Sequence, residues 1–177
     1  MKCIFLDFDG VINNWNHFTG VSEDNARVLK HIINITAAKV IVTSSNKYEL
    51  QRNDTKEYYA SNFYKEYVKP LNDFGVEIYD ITRNINGNRT LEIQKYIAEH
   101  NISEYVILDD ELVDPILQEH QVFLDLYKGL QEEHIVPAIE ILNGNLGFYP
   151  KKYNKSESPA ELVKSLNEYY NEQQSNG

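Results

Sequence analysis

The chain is short of cysteine, of cations and of long apolar runs, and each shortage removes a class of protein. Its 177 residues hold a single cysteine, Cys3, so no internal disulfide and no thiolate-rich zinc module can form within it. Lys and Arg number 17 against 27 Asp and Glu, a net charge of −10. Such a surface repels nucleic-acid backbones and anionic membranes unless a local basic patch intervenes, which disfavours a sequence-blind nucleic-acid binder. No apolar run approaches the roughly 18 residues that cross a bilayer. The opening Met-Lys-Cys-Ile-Phe-Leu-Asp is acidic by position 7. A secretory signal would need an uncharged apolar stretch of about 7–15 residues there, so the expectation is a cytoplasmic protein with no membrane partner. Five prolines and eight glycines are too few for a fibrous or low-complexity chain. What remains is a globular composition of a size suited to one domain, expected over residues 1–171 with a disordered tail at 172–177.

Short runs rich in Val, Ile and Leu recur at 3–6, 40–42, 76–79, 106–108 and 122–124 without strict alternation. That is the pattern of strands buried on both faces of a parallel sheet. Helix-period stretches lie between them. Leu29, Ile32 and Ile33 follow Ser22, a candidate N-cap; Ile93, Tyr96, Ile97 and His100 fall at i, i+3, i+4, i+7. Ile135, Ala138, Ile139 and Leu142 repeat that spacing and stop at Asn143-Gly144, with Pro137 predicting a kink near the start. A capping box at Ser158-Pro159-Ala160-Glu161 opens a further helix through Leu162, Leu166 and Tyr169. Strand–helix alternation predicts an α/β, doubly wound, three-layer Rossmann-like parallel sheet of about five strands. Its site should lie at the carboxyl ends of those strands.

The residues predicted at those ends are acids and hydroxyls. The first strand runs into Asp7-Phe8-Asp9-Gly10-Val11, where a turn at Gly10 can set one carboxylate to attack and the other to handle protons. The second strand ends Val42-Thr43-Ser44-Ser45, which offers hydroxyls and N–H groups to an anion. The fourth ends Leu108-Asp109-Asp110, with Asp114 beyond, and Arg89 stands just before the helix that leads into it. Asp7, Asp9, Asp109 and Asp110 gathered on one edge would repel one another unless a divalent cation sat among them. A set of oxygen donors without thiols suits Mg²⁺.

These four motifs, in this order, resemble those of the haloacid dehalogenase (HAD) superfamily of phosphohydrolases over residues 1–142. The first is Ile4-Phe5-Leu6-Asp7-Phe8-Asp9-Gly10-Val11 and the second Val40-Ile41-Val42-Thr43-Ser44. Arg89 stands in for the third, and Val106-Ile107-Leu108-Asp109-Asp110 is the fourth. The chain is also similar to small phosphatase-like domains of that superfamily found in RNA-repair proteins, which share the paired aspartates and a downstream Gly-Leu step, here Gly129-Leu130. The resemblance implies an Mg²⁺-dependent phosphomonoesterase. Asp7 is then the nucleophile that forms an aspartyl-phosphate, and Asp9 the general acid and then base, its backbone carbonyl lent to the metal. Thr43 and Ser44 hold the phosphoryl group, Arg89 neutralises it, and Asp7, Asp109 and Asp110 complete the metal shell, with Asp110 favoured as a direct ligand.

Two departures from the family pattern stand out. The third motif usually carries Lys, whereas here Arg89 fits by position and Lys95 is the nearest lysine. The related domains often follow the second motif with Trp-Arg; this chain has Ser45-Asn46-Lys47, which makes Lys47 the candidate replacement.

Other residues have plainer roles. His17, His31, His100, His120 and His134 lack metal-ligand spacing and read as surface or core-edge residues. Tyr59, Phe63 and Tyr67 at i, i+4, i+8 read as a packing stripe rather than a stacking platform for a single strand. Neither the loop after Val11 nor residues 82–88 can house a lid domain, so no sizeable cap is expected. An open mouth suits a bulky phosphorylated substrate, such as a nucleic-acid end, with Trp15 and Phe18 as candidate contacts; alternatively, a second copy of the chain roofs the site. A non-catalytic phosphate- or Mg²⁺-binding module on the same scaffold is the competing function. The Asp7/Asp9 pair argues against it, because a binder does not need the second acid.

Overall fold

The computed structural model describes residues 1–14, 20–52 and 55–146. The expectations for Trp15, His17 and Phe18, for the 158–169 helix and for the 172–177 tail lie outside the described residues.

Strand β1 (Lys2–Leu6) is the centre of a parallel sheet. It pairs with β2 (Lys39–Val42) on one side and β4 (Glu104–Asp109) on the other, so that Phe5 lies in register with both Ile41 and Ile107. Strands β3 (Ile78–Ile81) and β5 (Gln121–Phe123) complete the order β3-β2-β1-β4-β5. Successive β1 residues enter opposite layers. Cys3 and Phe5 join Ile41 and Ile107 beneath Ile93 and Tyr96 of α4 (Arg89–His100). Ile4 and Leu6, with Val40, Val42, Val106 and Leu108, pack against α1 (Glu23–Thr36) and α5 (Ile135–Leu142). Both faces are covered, which is why these strands read as unbroken apolar runs. Each buried Leu, Ile or Phe contributes roughly 1.5–3 kcal/mol against the exposed state.

The third strand begins two residues later than the sequence pattern predicts. Val76 is buried, but its N–H binds the carbonyl of Leu71 at 2.9 Å, closing the turn after α3 (Lys69–Asp73) rather than joining the sheet. Between β2 and α3 the chain makes a 3₁₀ stretch (Ser45–Arg52), the short helix α2 (Lys56–Ala60) and a π-helical turn (Tyr64–Val68). Phe63 and Tyr67 do form a packing stripe, each stacked on Phe8 with centroids 5.9 and 5.5 Å away. Tyr59 does not join them. Ser61 takes an extended backbone between the two helical pieces, which breaks the i, i+4, i+8 face and leaves Tyr59 54% exposed.

The helix boundaries follow local chemistry with two exceptions. Ser22 stands at the N-cap of α1 but makes no side-chain cap bond. Pro137 falls within the first turn of α5, where a backbone N–H has no intrahelical partner, so no kink is required and the helix continues to Leu142. At α4 the Asn88 carboxamide oxygen accepts the Leu91 N–H at 3.0 Å, which fixes Arg89 as the first helical residue. Residues 82–88 connect β3 to α4 directly, and no cap domain is inserted there. No helix among the described residues is long and apolar enough to cross a membrane.

Candidate active site

The chain winds outward from β1 to β2 and β3, then returns to β4 on the other side of β1. That reversal opens a crevice at the carboxyl ends of β1 and β4. Ladder hydrogen bonds carry each strand one residue further. Asp7 N–H binds Leu108 O at 3.1 Å and Thr43 N–H binds Leu6 O at 2.9 Å, while Thr82 N–H binds Val42 O at 3.0 Å. Asp7 and Thr43 are therefore held by backbone, with their side chains at the strand ends.

Three carboxylates meet in the crevice. One oxygen each from Asp7, Asp109 and Asp110 lies within 4.8 Å of the others. Arg89 reaches in from the first turn of α4, its Nη1 3.1 Å from Asp7 Oδ2 and 2.5 Å from Asp109 Oδ2. Burial works against the guanidinium charge, but Asp109 and Asp7 more than compensate and raise its pKa. Asp109 is fully buried, with Oδ1 accepting the Glu111 N–H at 2.8 Å. Burial and the neighbouring Asp7 charge push its carboxyl upward, against the pull of Arg89. Burial, then Asp7, push Asp110 up to about 6. One cation against three acids is too little. The cluster carries surplus negative charge, and its oxygen-only donors fit a hard divalent ion such as Mg²⁺.

Gly10 makes the cluster sterically possible. Its φ is +69°, and a Cβ there would lie 2.6 Å from Asp110 Cγ, so any side chain would drive Asp110 out. Thr43 is buried with an Oγ1 that has no hydrogen-bond partner among the described residues. An orphaned buried hydroxyl costs about 1–3 kcal/mol unless something completes it, and a phosphoryl oxygen would. Ser44 is fully buried, with Oγ accepting the Asn46 N–H at 3.3 Å.

Asp9 stands apart from the three. Its Oδ1 accepts from Asn13 Nδ2 at 2.8 Å and its Oδ2 from Asn46 Nδ2 at 3.4 Å, and Tyr67 Oη lies 3.5 Å from Oδ1. Neither Asn13 nor Tyr67 is marked by the sequence motifs. The available signal was a polar residue directly after the buried pair Val11-Ile12.

Lys47, Lys95 and Asp114 lie outside the carboxylate cluster. Lys47, the candidate replacement for the second-motif cation, is buried and paired with Glu92 of α4, whose carboxylate also accepts the Ile85 N–H at 3.1 Å. A buried ammonium needs such a partner. Lys95 lies 3.9 Å from Glu99 at the surface, whereas Arg89 reaches the carboxylates of Asp7 and Asp109. The Asp114 backbone N–H binds Thr90 Oγ1 at 3.0 Å.

The family model described as the HAD domain in Swiss Army Knife RNA repair proteins matches residues 3–135. Comparison with curated proteins finds no match, and neither does comparison with solved structures.

Proposed function

The chain belongs to the family of HAD domains in Swiss Army Knife RNA repair proteins, and from that premise and its site geometry we propose that it is an Mg²⁺-dependent phosphomonoesterase. One observation carries the reading beyond a phosphate-binding module. The two acids of the first motif have separate environments, Asp7 inside the charged cluster and Asp9 outside it on neutral amides. A cation site needs only the former. A nucleophile and a separate proton carrier need both.

In this reading Asp7 attacks phosphorus while Arg89 holds its Oδ2 and offsets its charge against the incoming dianion. The Thr43 hydroxyl and the backbone N–H groups beyond β2 orient the phosphoryl oxygens. Asp9 gives a proton to the leaving alkoxide, then takes one from the water that cleaves the aspartyl-phosphate. Asp7, Asp109 and Asp110 would hold Mg²⁺ together with the Asp9 carbonyl, and the ion supplies charge neutralisation for the transferring group. With no cap over the crevice among the described residues, the site suits a bulky substrate. Family membership favours a phosphorylated polynucleotide end, although Lys47 and Arg89 are both already committed to carboxylates.

Release of phosphate from p-nitrophenyl phosphate tests the chemistry. It should require Mg²⁺ and vanish in Asp7→Asn; full activity in that variant rejects the nucleophile assignment. A panel of 5′- and 3′-phosphorylated oligonucleotides beside a phosphopeptide tests the substrate.

A further inference from the structure

Nothing in the four motifs says which oxygen of Asp9 carries the proton. We propose that Asn13 is a positioning residue that reserves Asp9 Oδ2 for the proton, and that the turn after β5 holds Asn13 in place to do so. The proposal rests on the phosphomonoesterase reading and adds the origin of its acid–base specificity.

Asn13 is 3% exposed, and both ends of its carboxamide are used. Its Oδ1 accepts the Gly10 N–H at 2.8 Å and its Nδ2 donates to Asp9 Oδ1 at 2.8 Å. The first bond fixes the orientation: with the amide reversed, an NH₂ would face an N–H. The nitrogen is therefore always turned to Asp9. Oδ1 takes this close N–H and lies 3.5 Å from Tyr67 Oη, whereas Oδ2 takes only the long 3.4 Å contact from Asn46 Nδ2. The more strongly hydrogen-bonded oxygen is the poorer place for a proton, so the acid form of Asp9 carries its hydrogen on Oδ2. As the ester O–P bond breaks, that proton passes from Oδ2 to the leaving alkoxide. In the second half Oδ2 takes a proton from water as the water oxygen bonds to phosphorus and the bond from phosphorus to Asp7 breaks.

Asn13 is held by a clamp from a distant part of the chain. Leu130 N–H binds Val11 O at 2.8 Å. The fully buried Asn25 of α1 donates to Lys128 O at 3.0 Å and Leu130 O at 2.7 Å, and its Oδ1 accepts from Asn14 at 3.1 Å. Gly129 packs so closely that a Cβ on it would lie 2.6 Å from Asn13 O and 2.8 Å from Val11 O. The Gly129-Leu130 step thus bears on the first-motif loop rather than on the substrate.

The test uses two esters with different need of an acid. p-Nitrophenolate leaves with little help, whereas an alkoxide requires a proton. For Asn13→Ala and for Asn13→Asp, which keeps the acceptor for the Gly10 N–H, kcat/KM reports the step up to leaving-group departure. It should fall about 10–100-fold on an alkyl phosphate and only a few-fold on p-nitrophenyl phosphate. Equal losses on both esters, or none, overturn the proposal. A crystal structure of Asn13→Ala gives a second, activity-independent reading: the Asp9 carboxylate should leave its position while Asp7 and Asp110 keep theirs. An unmoved Asp9 also overturns it. Absence of turnover by the wild type on every ester would instead count against the phosphomonoesterase reading, and the crystal structure would still decide the role of Asn13.

Discussion

Asp110 carries an electrostatic penalty that a bound cation would relieve. It is crowded against Gly10, desolvated, and faces the charge of Asp7, and its carboxyl is pushed up to about 6. A carboxylate whose folded pKa exceeds its unfolded value weakens the folded state once the pH rises through that range. Removing the charge should therefore stabilise the metal-free protein. At pH 7.5 in EDTA, Asp110→Asn is expected to melt about 2–4 °C higher than the wild type. Millimolar Mg²⁺ should raise the wild-type melting temperature and leave the variant unmoved. Scanning calorimetry with and without Mg²⁺ checks both; a variant that melts lower in EDTA, or that still responds to Mg²⁺, would show that Asp110 lies outside the cation site.

Among the elements, the turn between β5 and α5 fits closely against a distant partner. Gly129 has φ +67° and almost touches two carbonyl oxygens of the loop after β1. Gly129→Ala would combine left-handed backbone strain with a clash against carbonyls that cannot withdraw, because Val11 O is already bound to Leu130 N–H. A loss of about 1–3 kcal/mol is expected in urea unfolding, and a neutral result would mean the loop yields freely. The sequence pattern marks Gly129 as part of a motif but not what it touches, since its contacts are more than a hundred residues away. The Lys47–Glu92 pair was hidden for the same reason: each residue looks like an ordinary charge on its own element, and only the approach of α4 to the 3₁₀ stretch makes them partners.

For the molecule as a whole, the layered sheet was legible because parallel strands covered on both faces must be apolar throughout, and their ends show as the first acids or hydroxyls. Asp7, Thr43 and Asp109 are such ends. Asn13 and His134 were not legible, because an amide or imidazole gains its role from a turn geometry that leaves no periodic trace. His134 lies 3% exposed at the base of α5, its Nδ1 accepting the Gln131 N–H at 2.9 Å. The remaining proton is then on Nε2, which is buried with no partner among the described residues. Burial, and then the Lys128 charge, push its pKa down to about 4 from the ordinary 6.5, with Asp125 opposing. The unfolded chain takes up this proton first on acidification. The contribution of His134 is thus fully present above pH 6.5 and is lost as the pH falls toward 4. Between pH 7 and pH 5 this one group should cost about 2 kcal/mol of folding stability. His134→Asn offers an oxygen to the Gln131 N–H and cannot titrate, so its stability should change about 2 kcal/mol less over that interval than the wild type's. Urea unfolding at the two pH values measures the difference directly, and equal pH dependence in both proteins would mean that His134 can accept a proton without unfolding its surroundings.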